Sequence, residues 1–171
     1  MRIIGVTGGV GSGKSAVLNY MEEHFDSRVV KADEVGHMLM MPGRECYEPV
    51  IQLFGDWVVR EDTSLDRAAI ASIVFDNPEM LKKLDDIVHP EVKKYILREI
   101  ERSRKEETEF FFIEAALLLE EKYDEICDEM WYIYCEKEVR IERLRHDRGY
   151  SDEKIHRMMA NQLPDEEFET R

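Results

Sequence analysis

The sequence predicts an α/β fold with a central parallel sheet, and three observations carry that expectation. An apolar run, Ile3-Ile4-Gly5-Val6, leads at once into Gly8-Gly9-Val10-Gly11-Ser12-Gly13-Lys14-Ser15, a complete G-x-x-x-x-G-K-[ST] phosphate loop, which needs a strand before it and a helix after it. Phe110-Phe111-Phe112-Ile113 is apolar at successive positions, so both its faces are covered and it belongs in the middle of a parallel sheet. Two further strand-like runs, residues 28–31 and 130–135, are set off from these by helical patterns, as parallel crossovers require.

The first strand covers residues 2–6 and delivers the chain to a turn where backbone NH groups converge. Gly8, Gly9, Gly11 and Gly13 supply the freedom that this turn demands. The cradle for nucleotide phosphates runs through Gly9, Gly11, Ser12, Gly13, Lys14, Ser15 and Ala16, where loop NH groups join the positive end of a helix starting near Lys14. Lys14 brings a point charge to the β- and γ-phosphates, and the Ser15 hydroxyl suits Mg²⁺. Val17, Leu18, Met21 and Phe25 recur at helical spacing, so residues 14–25 form a helix behind the loop. Asp26-Ser27 is a turn into the second strand, which ends at Ala32-Asp33. Asp33 therefore stands at the carboxyl end of a strand, the edge over which open α/β sheets bind ligands. Its plainer role is an N-cap on a helix over residues 34–41.

Pro42-Gly43 breaks the chain, and residues 44–88 read as helical segments with turns at Gly55-Asp56 and Glu61-Asp62. Asp66 caps a helix through Phe75, Asn77-Pro78 starts another, and His89-Pro90 opens a long helix with Val92, Ile96 and Ile100 on one face. About residues 42–107 thus form a helical insertion, a place where a kinase of small molecules holds its acceptor. His89 is a candidate contact for that acceptor; a cap or turn ahead of a proline-started helix is the alternative. Glu114 follows the third strand, where a carboxylate holds Mg²⁺ through water or simply pairs with Lys14 or a helix N-terminus.

Beyond the fourth strand, Arg140, Arg143, Arg145 and Arg148 crowd into a few residues of an otherwise acidic chain. A helix to Arg148, a hinge at Gly149-Tyr150 and a second helix through about Gln162 make a lid over about residues 136–162, closing on a triphosphate. Arg143 and Arg148 are its candidate charge donors. Arg140 reads better as a solvated residue with acidic partners at Glu138 and Glu142.

With 43% hydrophobic and 36% charged residues, the 171-residue chain suits one globular domain and no disordered class. A net charge of −14 excludes nucleic acid or an anionic membrane held by bulk electrostatics, though a local basic cluster can still grip a small anion. Cys46, Cys127 and Cys135 are odd in number and form no C-x-x-C pair, so they are expected reduced and buried, with neither a disulfide framework nor a zinc site. No leader and no bilayer-length apolar run is seen, which makes the cytoplasm the expected compartment.

Taken in order, Val6 to Ser15, Ala32-Asp33, Leu65-Asp66-Arg67, Val74-Phe75, His89-Pro90, Leu117-Leu118-Leu119-Glu120, Arg148-Gly149-Tyr150-Ser151 and Asn161-Gln162-Leu163 resemble the dephospho-CoA kinase family along nearly the whole chain. The resemblance implies a three-layer P-loop kinase fold and ATP- and Mg²⁺-dependent phosphorylation of the ribose 3′-hydroxyl of dephospho-coenzyme A. It further implies Asp33 as general base, the phosphate loop as ATP site, the insertion as coenzyme A site and the arginine segment as lid. The partner is that small molecule, with no nucleic acid or membrane, in a monomer or weak homo-oligomer. A kinase of a nucleoside or nucleotide, and a non-catalytic nucleotide switch, are the competing readings. The chain departs from the family pattern at Lys31 in place of an acid, at His37 in place of an arginine, and at Asp147-Arg148-Gly149, where the usual arginine–aspartate order is exchanged. Four strands are predicted where the family has five, the fifth being expected past the last residue, Arg171.

Overall fold

The computed structural model describes residues 1–115, 118 and 123–160. In chain order its elements are β1 (Arg2–Thr7), α1 (Lys14–His24), β2 (Ser27–Lys31), α2 (Ala32–Leu39), α3 (Tyr47–Phe54), α4 (Arg67–Phe75), α5 (Pro78–Lys105), β3 (Phe110–Glu114), β4 (Glu129–Tyr132), α6 (Lys137–Arg148) and α7 (Asp152–Ala160). They fall into two compact units, one of Met1–Val30 with the described residues from Ser103 onward, the other of Lys31–Arg102.

The first unit is the α/β part. Its sheet has four strands in the order β2-β3-β1-β4, with β1 parallel to both neighbours. The β1–β3 register sets Ile3 beside Phe111 and Ile4 beside Phe112. Because side chains alternate across a strand, Ile4, Val6 and Phe112 share one face, where they bury together with Leu18 of α1. Ile3, Phe111 and Ile113 are buried too, so both faces are covered, as the unbroken apolar run requires. β4 ends at Tyr132, short of the expected residue 135. The chain leaves the ladder where the Ile133 NH donates to the Thr7 carbonyl at 2.9 Å and Gly8 passes close to the Ile133 carbonyl.

The second unit is helical. Asp66 caps α4, its carboxylate accepting from the Ala69 NH at 3.0 Å, and Asn77 does the same for α5 from Met80 at 3.1 Å. α5 corrects one expectation: it does not start at Pro90 but runs through it from Pro78. An interior proline costs a helix about 3 kcal/mol. Val92, Ile96 and Ile100, at 5%, 0% and 3% exposure, more than offset that, since each fully buried aliphatic side chain is worth about 1.5–3 kcal/mol. α2 likewise starts earlier than expected: Lys31 is its N-cap, in extended backbone, and Asp33 lies in the first turn and caps nothing.

Of the cysteines only Cys46 is fully buried, whereas Cys127 and Cys135 are half-buried; all three are free thiols. Among the described residues no helix is long and apolar enough to cross a membrane.

Candidate active site

The phosphate loop joins β1 to α1 entirely within the first unit. Gly8, Gly11 and Gly13 have φ of +148°, +79° and +106°, the region where a Cβ is strained. Gly9 is there for a different reason: a Cβ on it would lie 1.6 Å from Nη1 of Arg140. α1 begins at Lys14 with no side-chain cap and no acid in its first turn, so the protein leaves the helix's positive end uncompensated. Ser15 and Ala16 are exposed on that first turn. Lys14 Nζ donates to the Gly8 carbonyl at 2.8 Å and lies 3.8 Å from the Glu114 carboxylate at the end of β3. Ser12 is buried with its hydroxyl unpartnered among the described residues.

α6 packs on this loop. Arg140, expected on a solvated face, is only 7% exposed, because Gly9 leaves room for its guanidinium and its own backbone lies against Gly11. One helical turn on, Leu144 is buried and its Cγ also meets the Gly11 position. That i,i+4 spacing from an apolar residue is the signal by which the inward face of Arg140 can be read. Arg143 Nη1 donates to the carbonyls of Gly11 and Ser12 at 3.4 and 3.3 Å. Arg148 is exposed at the end of α6, where Gly149 closes the helix at φ +62°. Arg145 there pairs with Asp152 of α7 at 2.7 Å, and the Lys154 ammonium lies 3.6 Å over the Tyr150 ring.

Asp33 and His89 belong to the second unit. Asp33 is exposed on the first turn of α2. His89 lies inside α5 rather than at a helix start, with Nε2 3.5 Å from Asp85. One turn after Asp33, His37 takes a hydrogen bond on Nε2 from the guanidinium of Arg67, at the start of α4. Burial and then the Arg67 charge lower the His37 pKa from its usual 6.5, against the opposing pull of Asp33 and Glu34. Leu117, Leu119, Glu120, Asn161, Gln162 and Leu163 lie outside the described residues.

A parallel sheet, a glycine-rich loop with its lysine at the head of α1, and an arginine helix on that loop define a P-loop kinase. The family model described as dephospho-CoA kinase matches residues 2–171. A dephospho-CoA kinase of Symbiobacterium thermophilum is 38% identical over 163 residues, covering 95% of this chain and 68% of the relative. The crystal structure of TT1252 from Thermus thermophilus superposes with a TM-score of 0.85 at 31% identity, covering 99% of this chain and 84% of the other. Dephospho-CoA kinase from Campylobacter jejuni, at 23% identity and a TM-score of 0.66 over 95% of this chain and 81% of that one, shares the fold. The chain belongs to the dephospho-CoA kinase family, and its activity is that of the last step of coenzyme A biosynthesis.

Proposed function

We propose that the chain moves the γ-phosphoryl group of ATP in line onto the ribose 3′-hydroxyl of dephospho-coenzyme A, with the residue roles that follow. The observation that carries this assignment is the set of cations on one loop: Lys14 on its carbonyls, Arg143 on the same loop, and Arg140 buried against Gly9. Gly9, Gly11, Ser12, Gly13, Lys14, Ser15 and Ala16 hold the phosphates through backbone NH groups and the helix end. Asp33 takes the hydroxyl proton as the acceptor oxygen bonds to phosphorus and the bond to the β–γ bridging oxygen breaks. Lys14 and the lid arginines Arg143 and Arg148, with Arg140, stabilise charge on the equatorial oxygens. His89 contacts the acceptor within the insertion.

Mg²⁺ fits the donor set, because Ser15 and Glu114 offer hard oxygens and this ion takes few protein ligands beside substrate phosphates. When bound it neutralises charge on the β- and γ-oxygens. The chain is a single kinase domain with its insertion over about residues 42–107 and its lid over about 136–162. It works as a monomer or weak homo-oligomer in the cytoplasm on a small molecule; its net charge of −14 is unsuited to nucleic acid or an anionic membrane.

The test is transfer from ATP to dephospho-coenzyme A with the product identified by mass, beside a panel of nucleosides and nucleotides. Product from dephospho-coenzyme A alone supports the assignment. Faster turnover of a nucleotide, or nucleotide binding without transfer to any acceptor, overturns it.

A further inference from the structure

We infer that Arg67 binds the diphosphate of the acceptor, and that His37 is the positioning residue that aims its guanidinium. The inference rests on the proposed role of Asp33 at the acceptor hydroxyl. Asp33 and His37 are four residues apart on α2 and so lie on one helix face, a turn or ~5.4 Å apart. In dephospho-coenzyme A the 3′-hydroxyl and the nearest phosphate are separated by the ribose, a comparable span. With the hydroxyl at Asp33, the phosphate falls one turn along, where Arg67 meets His37.

The chemistry of the pair suits an anion. Arg67 donates to Nε2 of a neutral imidazole, so its guanidinium is oriented without being neutralised. The carboxylate next to it in sequence, Asp66, is held by Arg60 at 2.9 Å and by the Ala69 NH instead. Asp33, Glu34 and Arg67 are the charged groups acting on His37, and Glu34 is itself paired with Lys31 at 3.2 Å. A guanidinium with donors to spare then has a planar fork to offer two phosphate oxygens.

The pair has a sign with pH. Above its lowered pKa His37 is neutral and accepts from Arg67; below it, the imidazolium loses that lone pair and repels the guanidinium. Acceptor binding should weaken on the acid side.

The experiment is steady-state kinetics of the whole chain from about pH 5 to about pH 8, with ATP and dephospho-coenzyme A varied separately. Arg67→Ala should raise KM for the acceptor about tenfold or more, with smaller effects on kcat and on KM for ATP. Arg67→Lys should recover little, because an ammonium lacks the fork. His37→Ala should raise the acceptor KM in part, and His37→Gln should restore most of it through its amide oxygen. The wild-type acceptor KM should climb as pH falls relative to that of His37→Gln, a comparison that stands even if Arg67→Ala folds poorly. An unchanged acceptor KM in folded Arg67→Ala, or equal pH dependence in wild type and His37→Gln, overturns the inference alone. No product from the wild-type chain overturns the assignment of the site together with it.

Discussion

Gly9→Ala is the sharpest perturbation the phosphate loop offers. The new Cβ would lie 1.6 Å from Nη1 and 2.8 Å from Cζ of Arg140, and the third nearest atom, Cδ at 3.6 Å, belongs to the same side chain. Everything that must move is therefore one guanidinium. Gly9 is not among the glycines with positive φ, so alanine itself fits the backbone there. Displacing a packed group costs about 1–3 kcal/mol. A domain of this size loses about 2–4 °C of Tm per kcal/mol, so Gly9→Ala should unfold several degrees lower. With Arg140→Ala already present the obstruction is gone, and glycine-to-alanine at a compatible position gains about 0.4–1 kcal/mol by restricting the unfolded chain. The sign of the same substitution should thus reverse between the two backgrounds. A double-mutant cycle by thermal unfolding measures this, with coupling on the order of 2 kcal/mol expected. Turnover should follow the same pattern: each single variant loses kcat, and the double variant loses no more than Arg140→Ala. Gly8→Ala is the control, because its Cβ meets the backbone oxygen of Ile133 at 2.5 Å in a φ of +148°, and neither depends on Arg140. Additive effects of Gly9→Ala and Arg140→Ala would refute the contact and its role.

Lys14→Ala should lower kcat/KM by about 10² or more, since a preorganised cation at the transferring group contributes about 3 kcal/mol, measured in the same ATP assay. Asp33→Asn should cost about 10² to 10⁴ in kcat and leave the ATP dissociation constant within a few-fold, because a base touches the acceptor; a collapse of ATP binding by calorimetry would contradict this. Arg143→Ala and Arg148→Ala should each reduce kcat/KM for ATP far more than Tm, and residues 147–151 should exchange amide hydrogens more slowly with ATP and Mg²⁺ than without. Burial pushes the thiols of Cys46 and Cys127 up to about 11, so both should resist an alkylating reagent near pH 8 in the folded chain and react once it is unfolded, as peptide mapping by mass would show.

The sheet was legible in the sequence wherever burial on both faces left no choice of period. Ile3 to Val6 and Phe110 to Ile113 read as strands because every position is apolar, and both are central. Boundaries were less legible where local chemistry argued one way and packing another. His89-Pro90 has the local look of a helix start, yet a single α5 runs through it, and Val88 and Val92 on either side of the proline both pack against Gly36 of α2. Asp33 looks like a cap for the same local reason, but Lys31 already takes that position and the aspartate is left with its carboxylate exposed. A propensity counts one residue at a time; a buried helix face sums over several turns.

The site divides along the same line, and Arg140 shows why. Its sequence neighbours Glu138 and Glu142 suggest a solvated ion pair, an arrangement worth about 0–1 kcal/mol and silent about function. Its position depends on a residue more than a hundred positions away: the absence of a Cβ at Gly9 leaves the space that the Arg140 guanidinium occupies. The phosphate-loop pattern specifies glycine at positions 8 and 13 and is indifferent to position 9. Gly8, Gly11 and Gly13 answer to backbone conformation, which a motif encodes locally, whereas Gly9 answers to a partner that no local pattern contains. The same holds for Arg67, whose partner His37 sits thirty residues earlier on another helix. If both cations act on phosphate, these two arginines, each placed by a partner distant in sequence, divide the substrates between them, Arg140 serving the donor and Arg67 the acceptor. Arg140→Ala should then raise KM for ATP and Arg67→Ala that for dephospho-coenzyme A, each leaving the other constant within a few-fold; a rise in both constants from either variant would contradict that division.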